Sequence, residues 1–457
     1  MPTFVSSFLP LLQPFQSQMT DPTFASLLTV LAGWVLSRRR HTVTVALDAV
    51  GDGYDKHFCA YHRLFAAARW DVEAVGLALA GLILAMLASA SGGVVFLVVD
   101  DTLCRKRGRK LFGVGMHYDA QLTGRRWSNA NRSVKSRGHC WVILGIVVSF
   151  PFRPGHYYCL PVLSRLYLNG DAARRHRRAY RTKPQLALEM LGKLCAAFPA
   201  SRFHLLADSA YGGKQVLGNL PANCAFTCRW ILNAALYAPA PARAPGSTGR
   251  RRVRGERLPG VAEMLAGRCE HLTLDGYGRR RQSNCRVAVT RDCRFHALPE
   301  VPLTVVACEP LTDAGRPRPE MRAVLYTTVV DAAPAQVLAW YARRWSIEVT
   351  IRDAKQELGL AQPQARVERA VRRLAPTLLL TYSLVVLWFA RAGRSRWRPP
   401  RHAWHPSKRH ASFADMLAAL RQQMLRERFR AVLKDPGGSA VPRNVAKALF
   451  TLVKRAA

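Results

Sequence analysis

The chain has 457 residues, 68 Lys+Arg against 29 Asp+Glu, a formal net charge of +39 and a hydrophobic fraction of 49%. That apolar content supports two or three domains with a sizeable core and excludes a chain too polar to fold. A basic excess on a foldable chain points to a polyanionic partner, nucleic acid first, because each phosphate neutralised releases condensed counterions. Codon bias would inflate arginine but does not account for the scarcity of acids.

In chain order, residues 1–90 read as a helical, DNA-binding region. TFASLLTVLAGWVLS is followed by YDKHFCAYHRLFAAARW, where His57, Tyr61, His62, Arg63, Arg69 and Trp70 interleave stacking and phosphate-binding side chains. An ordinary bundle with those aromatics in its core is the alternative. Residues 91–234 turn to α/β: GVVFLVVDD reads as a continuous apolar strand ending in acids, and HCWVILGIVVSF and HYYCLPVLSRLYL as two more in an antiparallel meander. A helix over 183–198, a short strand FHLLAD, a Gly-containing turn and the strand CAFTCRWIL follow. Residues 235–334 form a β-rich insertion that begins with a Pro-, Gly- and Arg-rich loop. The fold resumes over 335–392, and 393–457 holds a basic loop and a C-terminal helix.

The eleven cysteines are scattered and odd in number, which fits reduced, mostly buried thiols in a cytosolic protein. MPTFVSSFLPLLQ lacks the basic n-region of a secretory signal. The apolar stretches 74–90 and 374–390 are short for membrane spans and are expected to be buried helices, so no membrane partner is expected.

Because acids are rare, their positions carry information. Asp100 and Asp101 follow six apolar residues, and Asp208 closes HLLADSAYGG. Carboxylates at the ends of adjacent strands converge, and Glu348 on a packed helix could add a third. Three carboxylates around one point repel each other unless a cation sits among them, and hard divalent ions with oxygen ligands suit that place. Each acid also has a plain structural reading: Asp208 as a cap, Glu348 as the ion-pair partner of Arg344 or Arg352. In YARRWSIEVTIRDAKQELGL, a continuous helix would set Tyr341, Arg344, Glu348 and Lys355 on one stripe about 60° wide.

The spacing Y-x2-R-x3-E-x6-K of those four residues resembles the signature of the IS4-like superfamily of DDE transposases. VVDDT resembles that group's first acidic motif and ADSAY its second, and DDTLCRKRGRK is most similar to the IS701 family. The resemblance spans about residues 93–360. It implies an RNase H-like mixed-sheet catalytic domain interrupted by the β-rich insertion, with helical N- and C-terminal regions. It transfers catalytic, metal-holding roles to Asp100, Asp208 and Glu348, with Asp101 taking the first place if the register differs by one. Two Mg2+ ions, or Mn2+, are the implied cofactors. Tyr341, Arg344 and Lys355 become contacts to DNA phosphates, and Trp230 a stacking residue for an unpaired base, against the alternative of a core tryptophan.

The expected partners are double-stranded DNA, as transposon terminal inverted repeats and target, and a second copy of the chain in a homodimeric synaptic complex in the bacterial cytoplasm. The expected activity is metal-dependent DNA cleavage and strand transfer of an insertion sequence. A domesticated, inactive DNA-binding protein and an RNase H-like nuclease without strand transfer are the competing readings.

Overall fold

The computed structural model describes residues 4–51, 54–88, 93–123, 134–232, 235–243, 245–246, 248–275, 282–399 and 406–433. The basic stretches 125–137 and 278–282 lie largely outside them. The fold is mixed α/β, built on a large mixed sheet flanked by helices.

Eleven strands form that sheet: β1 (Val95–Arg105), β2 (Gly115–Tyr118), β3 (Lys135–Ser149), β4 (Tyr157–Tyr167), β5 (Phe203–Ala207), β6 (Cys224–Trp230), β7 (Leu236–Tyr237), β8 (Glu270–Asp275), β9 (Gln282–Phe295), β10 (Leu298–Pro310) and β11 (Ala323–Thr327). Their order is β2-β3-β1-β5-β6-β11-β10-β9-β7, with β4 on β3 and β8 on β9. The expected meander is β1-β3-β4, antiparallel throughout, whereas β1, β5 and β6 run parallel. The strands of the insertion do not form a separate layer. β11 pairs with β6, so β8 to β11 prolong the catalytic sheet.

β1 does not stop at the acids. Thr102, Leu103 and Cys104 continue to pair with β3, so Asp100 and Asp101 lie mid-strand, and alternation sends them to opposite faces. One face is covered by α7 (Trp345–Glu357) and α8 (Glu368–Trp388), which follow α6 (Pro334–Ala342). The other is covered by α4 (Val72–Ala88) and α5 (Lys183–Ala197). α5 begins at a capping box, in which Thr182 accepts from the Gln185 amide and the Gln185 side chain accepts from that of Thr182.

The N-terminal helices α1 (Asp21–Leu36), α2 (Val43–Val50) and α3 (Phe58–Ala66) share one hydrophobic core with the sheet, α8 and α9 (Phe413–Leu433). Tyr61 and Trp70 belong to that core. The Trp70 ring lies under the guanidinium of Arg373, which also donates to the carbonyls of Leu64, Phe65 and Ala68. Tyr61, Phe65 and Trp70 therefore pack inward, while Phe58 is half exposed and His57, His62, Arg63 and Arg69 are exposed for a polyanion. The segment Glu368–Gly393 is long and apolar enough to cross a membrane, but 94% of its apolar window is buried inside the protein, which makes it the core helix expected. All eleven cysteines are free thiols, and only Cys59 is exposed.

Buried histidines set an acid limit on the fold. Burial lowers His41, His139 and His204 to about 4, with help from the charges of Arg421, Lys106 and Arg343 respectively. The unfolded chain takes up these protons near pH 6.5 and the native one only near 4, so these groups withdraw stability as pH falls through that interval. The thermal unfolding midpoint is expected to drop steeply between pH 6.5 and 4, by an amount worth several kcal/mol, and replacing His204 with Gln should make the drop shallower. A midpoint flat across that range would contradict the assignment.

Candidate active site

The parallel register places the first two acids together. Val98 of β1 pairs with Leu206 of β5, and continuing that register by two residues brings Asp100 opposite Asp208, whose charge acts on it. β5 ends at Ala207, and Asp208 caps the turn Ser209–Tyr211 by accepting from the Ala210 amide at 3.0 Å. The capping reading of Asp208 is thus realised, and it uses one carboxylate oxygen only.

Glu348 comes from α7, but the stripe expected from a continuous helix is interrupted. α6 ends at Ala342 and α7 begins at Trp345. The amides of Arg343, Arg344, Ser346 and Ile347 bond three residues back rather than four, which tightens the chain there and shifts the angular positions. Across that junction Arg344 still reaches Glu348 and simultaneously bonds Asp100 at 3.2 Å. One guanidinium therefore joins the first and third acids. Among the described residues no group of three His, Cys, Asp or Glu side chains is gathered at metal-holding distance; Arg344 holds the space between two of the three.

Asp100 is electrostatically the exceptional acid. Burial, with a smaller push from the charge of Asp208, raises its carboxyl to about 7, because Arg344 only partly offsets them. Asp353 is likewise raised by burial that Arg352 only partly offsets, whereas Glu309 is held by both Arg286 and Arg322, and Asp119 by Arg105, so both stay below the ordinary carboxylate range. Asp100 shares its single cation with Glu348. Half-buried carboxylates, two of them sharing one guanidinium, fit an additional hard cation, and the all-oxygen donor set fits a divalent one.

Asp101 faces away. Its oxygens accept from Lys183 Nζ at 2.7 Å, Cys140 Sγ at 3.3 Å and Tyr211 Oη at 3.3 Å. The geometry brings Asp100, not Asp101, to the side that carries Arg344 and Glu348.

The remaining expected residues divide. Tyr341, half-buried at the end of α6, lies beneath Arg344 at 5.7 Å and within the fields of Arg229 and Asp208. Lys355 donates to the Leu103 carbonyl at 2.9 Å, so here it pins α7 to β1. Trp230 is the core tryptophan: only 8% exposed, it packs edge-on against Tyr326 and Phe295 because β6 turns that side chain inward. The stacking role expected of it is not available in this arrangement.

Two residues absent from the sequence reading stand at the site. Ala207 pairs with Cys228, so Arg229 is level with Asp208 on the next strand and exposed. Trp345, the residue after Arg344, is 61% exposed. Arg229 could be found only from the β5–β6 register. Trp345 had a signal, a tryptophan beside the acidic motif, whose exposure depends on where the helix begins.

The sequence model of the DDE superfamily endonucleases matches residues 14–292, which include Asp100 and Asp208 and stop before Glu348. No curated protein matches the chain. Members of that family act on DNA and generally use divalent metal ions. With well over half of its length matched, and with Asp100 within β1 and Asp208 directly after the parallel strand β5 of one mixed sheet, the chain belongs to the DDE superfamily endonucleases, a transposase-type family of DNA-cleaving enzymes.

Proposed function

We propose that the protein is the transposase of an insertion sequence, of the IS4-like superfamily and its IS701 branch, acting on terminal inverted repeats and target DNA. The single observation that carries the reading is Asp100: a half-buried carboxylate within reach of the Asp208 charge and joined to Glu348 through one shared guanidinium. Asp100, Asp208 and Glu348 would hold two Mg2+ ions, with Mn2+ a substitute. Bound there, the ions supply an activated water or DNA 3′-OH and stabilise the leaving oxygen of an in-line displacement at phosphorus.

The chain's own residues do the rest. Arg344 and Arg229 offer cations to the phosphate on which charge develops, and the bidentate fork of Arg344 can exchange carboxylates for phosphate oxygens. Tyr341 donates its phenol to the same phosphate or orients the strand. Lys355, fixed to β1, keeps Glu348 at the depth of Asp100. The exposed Trp345 provides a flat apolar surface for a base at a distorted DNA end.

Purified protein with Mg2+ and a labelled transposon-end duplex tests the proposal. Nicking and strand-transfer products should form with wild type and vanish with Glu348→Gln. Nicking without transfer would favour a plain nuclease, and binding without either product an inactive DNA-binding descendant. Equal cleavage by wild type and Glu348→Gln would remove the site assignment.

A further inference from the structure

Asp101 is left without a part in the reaction, yet it is the most connected acid near the site. On the face of β1 opposite Asp100, its two oxygens take hydrogen bonds from three elements. Lys183 at the first turn of α5 donates at 2.7 Å, Cys140 of β3 at 3.3 Å, and Tyr211 in the turn after Asp208 at 3.3 Å. Tyr211 is 1% exposed, and its phenol is held well above its ordinary range by burial and by the charges of Asp101, Asp100 and Asp208, so the hydroxyl keeps its proton and donates.

The turn that Tyr211 occupies is fixed at two further points. Cys228 of β6 donates to the Asp208 carbonyl at 3.0 Å, and Tyr326 of β11 to the Gly212 carbonyl at 2.9 Å. A Cβ at Gly212 would lie 2.8 Å from the Cys228 sulfur, so the turn sits tightly on β6. Those two contacts tie the turn to β6 and β11. The Tyr211–Asp101 hydrogen bond ties it to β1, the strand that carries Asp100.

We propose that Asp101 is a positioning residue which, through Tyr211, sets the distance between Asp100 and Asp208. The inference rests on the reading of those two acids as metal-holding. β5 ends at Ala207, so the ladder that aligns Asp100 with Asp208 has stopped before the second acid is reached. The Asp101–Tyr211 contact continues the alignment from the opposite face, and the Lys183 ion pair orients the Asp101 oxygens. Removing such an outer partner weakens metal affinity about 10- to 100-fold while the fold persists.

The test is Mn2+ titration of the full-length protein by calorimetry at pH 8, with thermal unfolding in parallel. Tyr211→Phe, which keeps the buried ring and removes only the hydroxyl, should raise the Mn2+ dissociation constant about tenfold. Its cleavage should need correspondingly more Mg2+ for half-saturation, with the rate at saturating metal within a few-fold of wild type. Asp101→Asn should behave alike, and the double variant should be no weaker than the weaker single one, because both act through one contact. Wild-type Mn2+ affinity in Tyr211→Phe, even with a lowered unfolding midpoint, would overturn the inference alone. Absence of Mn2+ binding by wild type would overturn it together with the metal-site reading.

Discussion

Asp100→Asn is expected to reduce DNA cleavage by about a thousand-fold, the several kcal/mol that metal-held charge supplies to a phosphoryl transition state, and to stabilise the metal-free protein. Enzyme and fold make opposite demands on this carboxylate. Its pKa in the native state is pushed up to about 7 from an ordinary 3.8. Between those values the native chain holds a proton that the unfolded chain has released, so stability falls as pH rises through the window and stays low above it. At about 1.4 kcal/mol per unit, the charged form costs on the order of 4 kcal/mol at pH 8. Asparagine keeps the shape without the charge, and Arg344 retains Glu348 as a partner. The unfolding midpoint of metal-free Asp100→Asn at pH 8 should therefore exceed that of wild type, and the gap should close at pH 5. A variant that is inactive and also less stable at pH 8 would mark Asp100 as a structural acid.

Arg344→Ala should separate metal binding from catalysis. The guanidinium bonds Asp100 and Glu348 together, where a divalent ion would need the same oxygens. Two cations cannot share those carboxylates without strong repulsion, so Arg344 competes with metal until a DNA phosphate offers it another anion. Removing it should tighten Mn2+ binding to the DNA-free protein about tenfold, the effect of roughly 1.4 kcal/mol of relieved competition. The measurement belongs at pH 8.5, above the range in which Asp100 holds its proton. Cleavage should nevertheless fall by about 100- to 1000-fold, the usual loss when a donor to a developing oxyanion is removed. A variant that binds Mn2+ no better than wild type would refute the competition, and one that cleaves normally would refute the phosphate role.

Much of this site was legible from residue order. The apolar run before Asp100 and the short strand before Asp208 point to two buried strands whose acids could converge, whereas their parallel pairing became visible only in the register. Which of two adjacent aspartates faces the helix depends on side-chain alternation against a partner strand, so it became visible only with the β1–β3 register. The break between α6 and α7 was not legible, because a 100° periodicity carries no sign of three-residue hydrogen bonds at Arg343 and Arg344. Tyr61, Trp70 and Trp230 illustrate a second limit. Aromatic side chains next to arginines suit a nucleic-acid surface and a protein core equally well, and the choice was made by packing partners far away in sequence, such as Arg373 for Trp70 and Tyr326 for Trp230.

The order of the acids along the chain also has a consequence during synthesis. Asp208 precedes Glu348 by 140 residues, and strands β6 to β11 lie between them. At about 5–20 residues per second, a ribosome takes roughly ten seconds to pass from one to the other. By the end of that interval the nascent chain carries the first two acids and most of its arginines without the third. A product released early, before residue 345, would lack not only α7 and Glu348 but also α8, whose buried side chains complete the core shared by the N-terminal helices and the sheet.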